Sequence, residues 1–502
     1  MHARILAIDA GTTGVRGFIV DGGGRIIGSG YREFTQHFPR PGWVEHDAEE
    51  IWEATLAACA EALKVSDTAP DAVTCIGITN QRETTLLYER DTLRPIHRAI
   101  VWQDRRTADR CEQLRAAGHE PLVRQRTGLV LDAYFSGTKV AWLLDTVPGA
   151  RERAERGELA FATIDTWLVA RLTAGATHVT EPSNASRTML YDLGTGAFCP
   201  ELCALLDVPL DVLPEIRDSS GHFGDSVPEA FLGVAAPITG IAGDQQAALF
   251  GQGAWTAGTS KNTYGTGSFL LFNTGHELVR SGAGLLTSVG WRLDGRDTYV
   301  LEGAIFVTGA SVQWMRDQLG IIDHASETEA LAAELPPGNE SVYLVPAFTG
   351  LGAPHWDPHA RGLLIGLTRG TDRRHLARAA LEAMAYQTAD VVAAMTADAR
   401  IELAELRVDG GAAANDLLCR FQADILGVPV VRPRITETTV LGAAFLAGLG
   451  AGVWSSLDEL SGVWQLDRRF EPRMHDTERE HLLVGWRAAV ERSGGWARIT
   501  EH

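Results

Sequence analysis

Two stretches of the chain place apolar runs on either side of a short turn of glycine and threonine. Near the start, the mainly apolar runs 5–10 and 15–20 flank Gly-Thr-Thr-Gly at 11–14, and residues 262–272 repeat the pattern around Gly-Thr-Gly. Each stretch predicts a strand, a tight turn and a second strand. Glycine lets the backbone approach a bound oxyanion, and threonine adds a hydroxyl donor. Two such turns, one in each half, predict a two-lobed protein that holds a polyphosphate from both sides.

Further elements follow the first hairpin. Apolar residues recur near helical spacing over 47–64, which predicts a helix. Residues 72–79 predict a buried strand that ends in a polar turn at 80–83. Residues 238–243 predict a short strand that ends at Asp244, and a helix of small residues follows it. The polar turn and Asp244 therefore come directly after buried strands.

The second half repeats this plan. After its hairpin we predict a helix at 301–319, a strand at 341–348, a helix at 373–397, a strand at 406–411 that runs into a glycine turn, a helix at 415–427 and a strand at 428–432. Alternating strands and helices with glycine at strand ends favour an α/β fold, in which ligands bind at the carboxyl ends of the strands. We place the domain boundary just ahead of the second hairpin, which gives domains 1–252 and 253–502.

Composition narrows the class of protein. A chain of 502 residues is long enough for two cores. A net charge of −19 argues against nucleic-acid and anionic-membrane surfaces, but not against ATP held by loop amides and a metal ion. The six scattered cysteines fit a reducing cytosol, and Cys199 and Cys203 lack the second ligand pair that zinc needs. The apolar stretch 440–449 is too short to span a bilayer, and the chain starts in a strand without a leader. We therefore expect a cytoplasmic protein.

Two aspartates and one pair of opposite charges lie at the ends of predicted strands, where ligands of an α/β fold bind. Asp9 precedes the first turn, where a carboxylate can hold Mg²⁺ beside phosphates; a turn-forming aspartate is the alternative. Asp244 can accept the proton of an alcohol during phosphoryl transfer; a helix N-cap is the alternative. Arg82 and Glu83 together offer donors and acceptors to a vicinal diol; a solvated salt bridge is the alternative.

Aromatic and glycine positions suggest where the rest of a ligand would lie. Trp102 and Phe269 could wall a pocket and Tyr134 could add a hydroxyl group, although core packing would also explain all three. The glycine turn at 410–411 lets a flat base lie on the backbone. The sequence contains neither a P-loop motif nor a Gly-x-Gly-x-x-Gly after the first strand, so P-loop and Rossmann enzymes are disfavoured.

Over residues 4–495 these motifs resemble one family, the FGGY carbohydrate kinases, and are most similar to its members that act on glycerol. The resemblance is carried by PGWVEHD at 41–47, NQRETT at 80–85, YFSGTK at 134–139, NASRTM at 184–189, GDQQAALFG at 243–251, KNTYGTG at 261–267 and VDGG at 408–411. It implies two actin-like, ribonuclease-H-like domains with a cleft between them. It also implies phosphorylation of glycerol to sn-glycerol 3-phosphate by ATP with Mg²⁺.

The resemblance also assigns roles by matching position. Asp244 matches the catalytic base, and Asp9 and Asp244 match the carboxylates beside the metal. The glycerol-binding set comprises Arg82, Glu83, Trp102, Tyr134, Asp244, Gln245 and Phe269. The nucleotide-binding set for ATP or ADP comprises Thr12, Thr13, Gly14, Arg16, Thr266, Gly309, Gln313, Gly411 and Asn415.

Two alternatives stay open at this point. Another member of the family, acting on a different small polyol or a ketose, would share most of these motifs. A non-enzymatic nucleotide switch, such as an actin-like filament or a chaperone ATPase, would share the fold but needs no alcohol pocket. By analogy with the family we expect a homo-oligomer, either a dimer or a tetramer.

Overall fold

Two mixed β-sheets, one from each half of the chain, carry the fold, and the structure, a computed structural model, describes residues 3–500. The strands of the first half are β1 (Arg4–Ala10), β2 (Gly14–Asp21), β3 (Ile26–Glu33), β4 (Gln36–His37), β5 (Glu45–His46), β6 (Cys75–Asn80), β7 (Leu86–Glu89), β8 (Ala99–Ile100), β9 (Leu159–Ala162), β10 (Val179–Thr180), β11 (Tyr191–Asp192), β12 (Ala197–Phe198), β13 (Glu215–Ile216), β14 (Ser220–Asp225) and β15 (Pro237–Gly243). Its helices are α1 (Ala48–Val65), α2 (Ala108–Ala116), α3 (Glu120–Thr127), α4 (Ser136–Thr146), α5 (Ala150–Glu155), α6 (Ile164–Leu172), α7 (Pro182–Ala185), α8 (Pro200–Leu205) and α9 (Asp244–Gly251).

The second half has its own strands and helices. The strands are β16 (Thr259–Tyr264), β17 (Ser268–Gly275), β18 (Leu286–Leu293), β19 (Arg296–Ile305), β20 (Tyr343–Val345), β21 (Leu363–Ile365), β22 (Glu405–Gly410), β23 (Val430–Pro433) and β24 (Leu466–Phe470). The helices are α10 (Gly309–Asp317), α11 (Glu327–Ala333), α12 (Arg373–Ala399), α13 (Asp416–Leu426), α14 (Thr438–Gly450), α15 (Leu457–Val463), α16 (Asp476–Ser493) and α17 (Trp496–Thr500).

The two large sheets share the arrangement of their central strands. The first has the strand order β14-β15-β6-β1-β2-β3 and the second β18-β19-β17-β16-β22-β23-β24. In each, a hairpin (β1 with β2, β16 with β17) is antiparallel, and its first strand pairs in parallel with a later strand, β6 or β22. The repeated plan predicted from the sequence is therefore confirmed.

Helices cover both faces of the first sheet. Alternate residues of β1 belong to different cores: Leu6 and Ile8 pack in the core that contains α1, whereas Ile5 and Ala7 pack in the core that contains α14. Helix α1 begins where predicted, because the Asp47 side chain accepts a hydrogen bond from the Glu49 amide. Both faces of β1 are therefore buried.

Helices α9 and α14 each pack on the sheet of the other half. Helix α14 lies so close to the first sheet that strands β6 and β15 have glycine where they meet it. A Cβ added at Gly77 or Gly240 would overlap the backbone of α14 at Ala443 or Ala447. From α9, the Phe250 ring meets the Trp291 ring of β18 at 5.1 Å. The apolar stretch noted in the sequence, 440–449, is thus the helix that joins the two halves.

One predicted element is wrong. Residues 301–319 were expected to form a helix, but Arg296–Ile305 is a strand and the helix begins at Gly309. Gly303, expected at the helix entry, lies in mid-strand opposite Leu270. Residues 300–303 are all buried, so the alternation that marks a half-exposed strand is missing.

The structure also locates the cysteines and the apolar helices. The six cysteines are buried as free thiols. Within residues 3–500, none of the helices combines the length and apolar character needed to cross a membrane.

Candidate active site

Three adjacent parallel strands bring the acidic candidates to one sheet edge. Asp9 is opposite Thr79 in the register of β1 with β6, and Gly243, which precedes Asp244, is opposite Asn80 in the register of β15 with β6. The loop that carries Arg82 leaves the same end of β6. The structure therefore places Asp9, Arg82 and Asp244 together, as the strand-end pattern predicts.

Asp244 is the first residue of α9 and is accessible to solvent. Its side chain is 34% exposed, and its Oδ1 lies 3.3 Å from Arg82 Nε and accepts the Gln245 amide at 2.7 Å. The N-cap position of α9 is occupied by Gly243, so no side chain caps the helix. The alternative that Asp244 is itself the N-cap is therefore wrong.

Arg82 and Glu83 are buried and do not pair mainly with each other. Both guanidinium ends of Arg82 donate to Glu302 of β19, at 2.7 and 3.0 Å. Glu83 accepts from Arg187 Nε at 2.5 Å, whereas its closest approach to Arg82 Nε is 3.7 Å. The alternative of a solvated salt bridge is excluded because both side chains are almost fully buried.

Arg82, Glu83, Arg187 and Glu302 form a closed ring of alternating charge, here called the charge ring. Arg187 Nη1 lies 3.4 Å from Glu302 and completes it. Burial alone would raise the pKa of Glu302, but Arg187 and Arg82 lower it to about 2. Sequence reasoning gave no role to Arg187 and missed Glu302, which fell in the segment predicted to be helical.

Aromatic side chains stand beside the ring. Tyr134 is half-buried and contacts Trp102 edge to face at 5.6 Å. The Trp102 indole donates to Thr12 Oγ1 at 3.0 Å, which ties this wall to the first turn. Phe269 is half-buried on β17, in the other half of the molecule. The predicted wall residues are thus contributed by both halves, and Trp102 with Tyr134 form one group.

Two buried lysines, neither given a role in the sequence analysis, support the site. Lys139 donates to the carbonyl oxygens of Tyr134 at 2.8 Å, Glu83 at 3.1 Å and Val101 at 3.5 Å. Lys261 on β16 donates to the Gln245 side chain at 2.5 Å. Burial lowers the pKa of Lys139 to about 7 and that of Lys261 to about 8. The YFSGTK and KNTYGTG motifs held both residues, but only the fold shows which groups they contact.

The first phosphate turn is anchored by Asp9 and Arg16. The Gly11 amide donates to the Gly14 carbonyl at 3.0 Å, and a Cβ at Gly14 would lie 2.6 Å from the Arg32 carbonyl oxygen. Arg16 bonds Asp9 at 2.7 Å and Glu437, just before α14, at 2.6 Å. Burial, with a smaller contribution from Asp244, raises the pKa of Asp9 against the influence of Arg16.

The second phosphate turn opens into a cleft. The Thr266 carbonyl accepts the amides of Thr308 at 2.9 Å and Ala310 at 3.0 Å, and Gly309 packs so closely that a Cβ would lie 2.5 Å from the Gly265 oxygen. Beside this turn and the start of α10 lies a cleft of about 510 Å³. The predicted nucleotide residues of the second half all line it: Thr266, Gly309, Gln313, Gly411 and Asn415.

The remaining nucleotide residues, Thr12, Thr13, Gly14 and Arg16, lie on the first turn and β2. A neighbouring cleft of about 640 Å³ is lined by Arg16 and also by Gly411, so it connects the two halves of the predicted set. Asn415 has a structural task as well, because its Oδ1 caps α13 by accepting the Leu418 amide at 2.9 Å.

A metal ion at this site would need water or substrate oxygens as ligands in addition to protein side chains. Across the described part of the chain, no group of three or more His, Cys, Asp or Glu side chains could hold an ion by itself. Asp244 is close enough to Asp9 for its charge to contribute to the raised pKa of Asp9. Two carboxylates fit Mg²⁺, which typically takes one or two carboxylates together with water and substrate phosphates.

Comparisons with known proteins agree with this architecture. The model for the N-terminal domain of the FGGY family of carbohydrate kinases matches residues 4–251, and the model for its C-terminal domain matches residues 260–451. Glycerol kinase of Dechloromonas aromatica is 58% identical over 99% of this chain and 98% of its own length. Glycerol kinase of Deinococcus radiodurans is 57% identical over 100% of this chain and 99% of its own.

Solved structures extend the likeness to three dimensions. Plasmodium falciparum glycerol kinase with ADP has a TM-score of 0.94 at 36% identity and covers 98% of both chains. Gluconate kinase from Lactobacillus acidophilus has a TM-score of 0.86 at 19% identity, which shows a common fold alone. The two-domain α/β fold implied by the motifs is confirmed. Because both family models match in order and the relatives align from end to end, the chain belongs to the FGGY family of carbohydrate kinases.

Proposed function

We propose that this protein is an ATP-dependent glycerol kinase, which transfers the γ-phosphate of ATP to a terminal hydroxyl of glycerol and forms sn-glycerol 3-phosphate. The observation that carries the proposal is the setting of Asp244: a partly exposed carboxylate oriented by Arg82 at the edge of a buried, alternating charge ring. Relatives named glycerol kinase, 57–58% identical over nearly the whole chain, support the same substrate.

Asp244 is proposed as the catalytic base. Phosphoryl transfer needs little covalent chemistry from the protein beyond positioning and one group that accepts the hydroxyl proton. Its Oδ1 accepts the Gln245 amide and lies 3.3 Å from Arg82 Nε, so Oδ2 is the oxygen proposed to meet an incoming hydroxyl. The carboxylate would take the proton as the oxygen attacks phosphorus, while the bond from phosphorus to the bridging oxygen of ADP breaks.

The other hydroxyl groups of glycerol are assigned to the charge ring and its neighbours. Arg82 Nε can donate, Glu83 can accept, and Tyr134 can do either. Trp102 and Phe269 would enclose the carbon atoms, and Gln245 would contact the substrate beside its bond to Lys261. A site with several polar groups close together and aromatic walls suits a small triol.

The nucleotide would bridge the two turns. Thr12, Thr13, Gly14, Arg16 and Thr266 are proposed to hold its phosphates, and Gly309, Gln313, Gly411 and Asn415 its adenosine. Mg²⁺ bound with the phosphates would neutralise their charge, with Asp9 and Asp244 as the protein carboxylates that hold it. Approach of the two domains would exclude water and limit wasteful hydrolysis of ATP.

A coupled ADP-release assay over a panel of glycerol, tetritols, xylulose and gluconate tests the substrate. We expect the highest kcat/KM with glycerol. Turnover of a ketose or another polyol without turnover of glycerol would favour a different member of the family. If none of the panel stimulated ATP consumption, the non-enzymatic nucleotide switch would be the better interpretation.

We propose a cytoplasmic location, a homo-oligomer, no nucleic-acid partner and no insertion into membranes. The domain limits, 1–252 and 253–502, are proposed on the same basis.

A further inference from the structure

We infer that Glu302 is a positioning residue of the alcohol site, which holds Arg82 in place from the opposite half of the molecule. The inference rests on the proposed function. Arg82 follows β6 of the first sheet, whereas Glu302 lies on β19 of the second. Two hydrogen bonds of 2.7 and 3.0 Å join side chains that are each 3% exposed. The residue proposed to bind glycerol is therefore oriented by the domain that does not carry it.

The pairing fixes which part of Arg82 a substrate can reach. A bidentate contact between guanidinium and carboxylate is directional as well as strong. Nη1 also donates to Gln246 at 3.2 Å, so both ends of the guanidinium are engaged. Nε remains, 3.3 Å from Asp244 and 3.7 Å from Glu83. Glu302 thus turns the Nε edge of the guanidinium toward the place where a hydroxyl would lie between those two carboxylates.

Without Glu302 a different arrangement becomes favourable. Buried and uncompensated, the Arg82 guanidinium would turn its free ends toward Asp244 or Glu83, the nearest remaining anions. A direct ion pair of this kind would block the hydroxyl site and draw the base away from the alcohol. Arg187, whose Nη1 is 3.4 Å from Glu302, would lose the same neighbour.

A purely structural role predicts a different outcome. If Glu302 only neutralised two buried arginines, its loss would lower stability without changing the affinity of folded protein for glycerol. The matched control is Glu382, a carboxylate 2% exposed that pairs with Arg378 at 2.7 Å within α12. Glu382→Gln removes a buried arginine partner that has no contact with the charge ring.

The experiment compares Glu302→Gln, Glu382→Gln and the unaltered protein. Glutamine keeps the size of glutamate but loses the charge and one acceptor. For Glu302→Gln we expect the KM for glycerol to rise at least about tenfold, the effect of losing a hydrogen bond to a charged group. The KM for ATP should stay nearly unchanged. Glu382→Gln should lower Tm but leave the KM for glycerol unaltered.

The inference is overturned if Glu302→Gln loses Tm as the control does but keeps the unaltered KM for glycerol. It is also overturned if Glu302→Asp, which restores the charge but not the reach, fully recovers that KM. The proposed function is tested separately, because an unaltered protein that fails to phosphorylate glycerol refutes it before any variant is compared.

Discussion

At the scale of single residues, the proposed active site contains carboxylates in contrasting surroundings. Asp9 is almost fully buried and paired with Arg16, whereas the Asp244 side chain is 34% exposed. Two carboxylates at one sheet edge can take different roles when their environments differ. Asp244 can exchange a proton with a bound alcohol, while Asp9 is enclosed beside the phosphate turn.

Asp244→Asn tests this division directly. The amide cannot accept the hydroxyl proton, so we expect kcat to fall at least about 10²-fold while ATP affinity stays near normal. Steady-state turnover and equilibrium nucleotide binding measure the two quantities. Turnover close to that of the unaltered protein would remove Asp244 from the mechanism.

Lys139 gives a pH-dependent prediction. Burial lowers its pKa from 10.5 to about 7, so between these values the unfolded chain holds a proton that the folded protein lacks. Stability from this group therefore rises as pH increases through that window. We expect the difference in unfolding free energy between the unaltered protein and Lys139→Met to grow with pH from about 7 to 10. Denaturant titrations at several pH values measure it, and a difference that is constant or shrinks would contradict the assignment.

The sequence predicted site residues that lie at strand ends, and it missed residues whose role depends on contacts between distant parts of the chain. The turns, Asp9, Arg82 and Asp244 follow strand ends that are visible in the sequence. Glu302 was missed because its partner Arg82 is 220 positions away and no local pattern links them. Lys139 was missed because its three acceptors are backbone carbonyls, which every residue possesses.

At the scale of elements, strands buried on both faces were the hardest to predict. β1 and β2 are bounded by a glycine turn, so their ends are clear even without alternation. β19 has no such boundary near Gly303, and its run of buried residues resembles a buried helix in sequence. Helices α1, α12 and α13 were predicted nearly to their ends because caps and helical spacing mark them.

The contact between α9 and α14 depends on glycine. A Cβ at Gly442 would overlap the Ala247 carbonyl, and one at Gly251 would overlap that of Thr438. We expect Gly442→Ala to lower the free energy of unfolding by about 1–3 kcal/mol, as overpacking usually does. Denaturant unfolding followed by circular dichroism provides the measurement.

Gly462→Ala is the matched control. This glycine is also helical, but a Cβ there would meet nothing within 4 Å. Helix propensity alone should then raise stability by up to about 1 kcal/mol. Equal effects of the two substitutions would show that close packing is not what Gly442 provides.

At the scale of the whole molecule, the proposed reaction requires the two halves to approach each other. The turns proposed to hold one polyphosphate belong to different sheets. We expect a non-hydrolysable ATP analogue together with glycerol to reduce the radius of gyration in small-angle scattering. Asp244→Asn should contract equally when both ligands are saturating, because the amide keeps the size of the side chain. An unchanged radius with both ligands bound would contradict closure.

The exchange of α9 and α14 between the sheets has a consequence for any attempt to divide the molecule. A fragment ending near residue 252 would lack the helix that seals one face of its sheet, and the complementary fragment would lack Phe250 against Trp291. Each fragment produced alone would expose a large apolar surface and aggregate. When the two fragments are produced together they should reassemble, because each contains the helix that packs on the exposed sheet of the other.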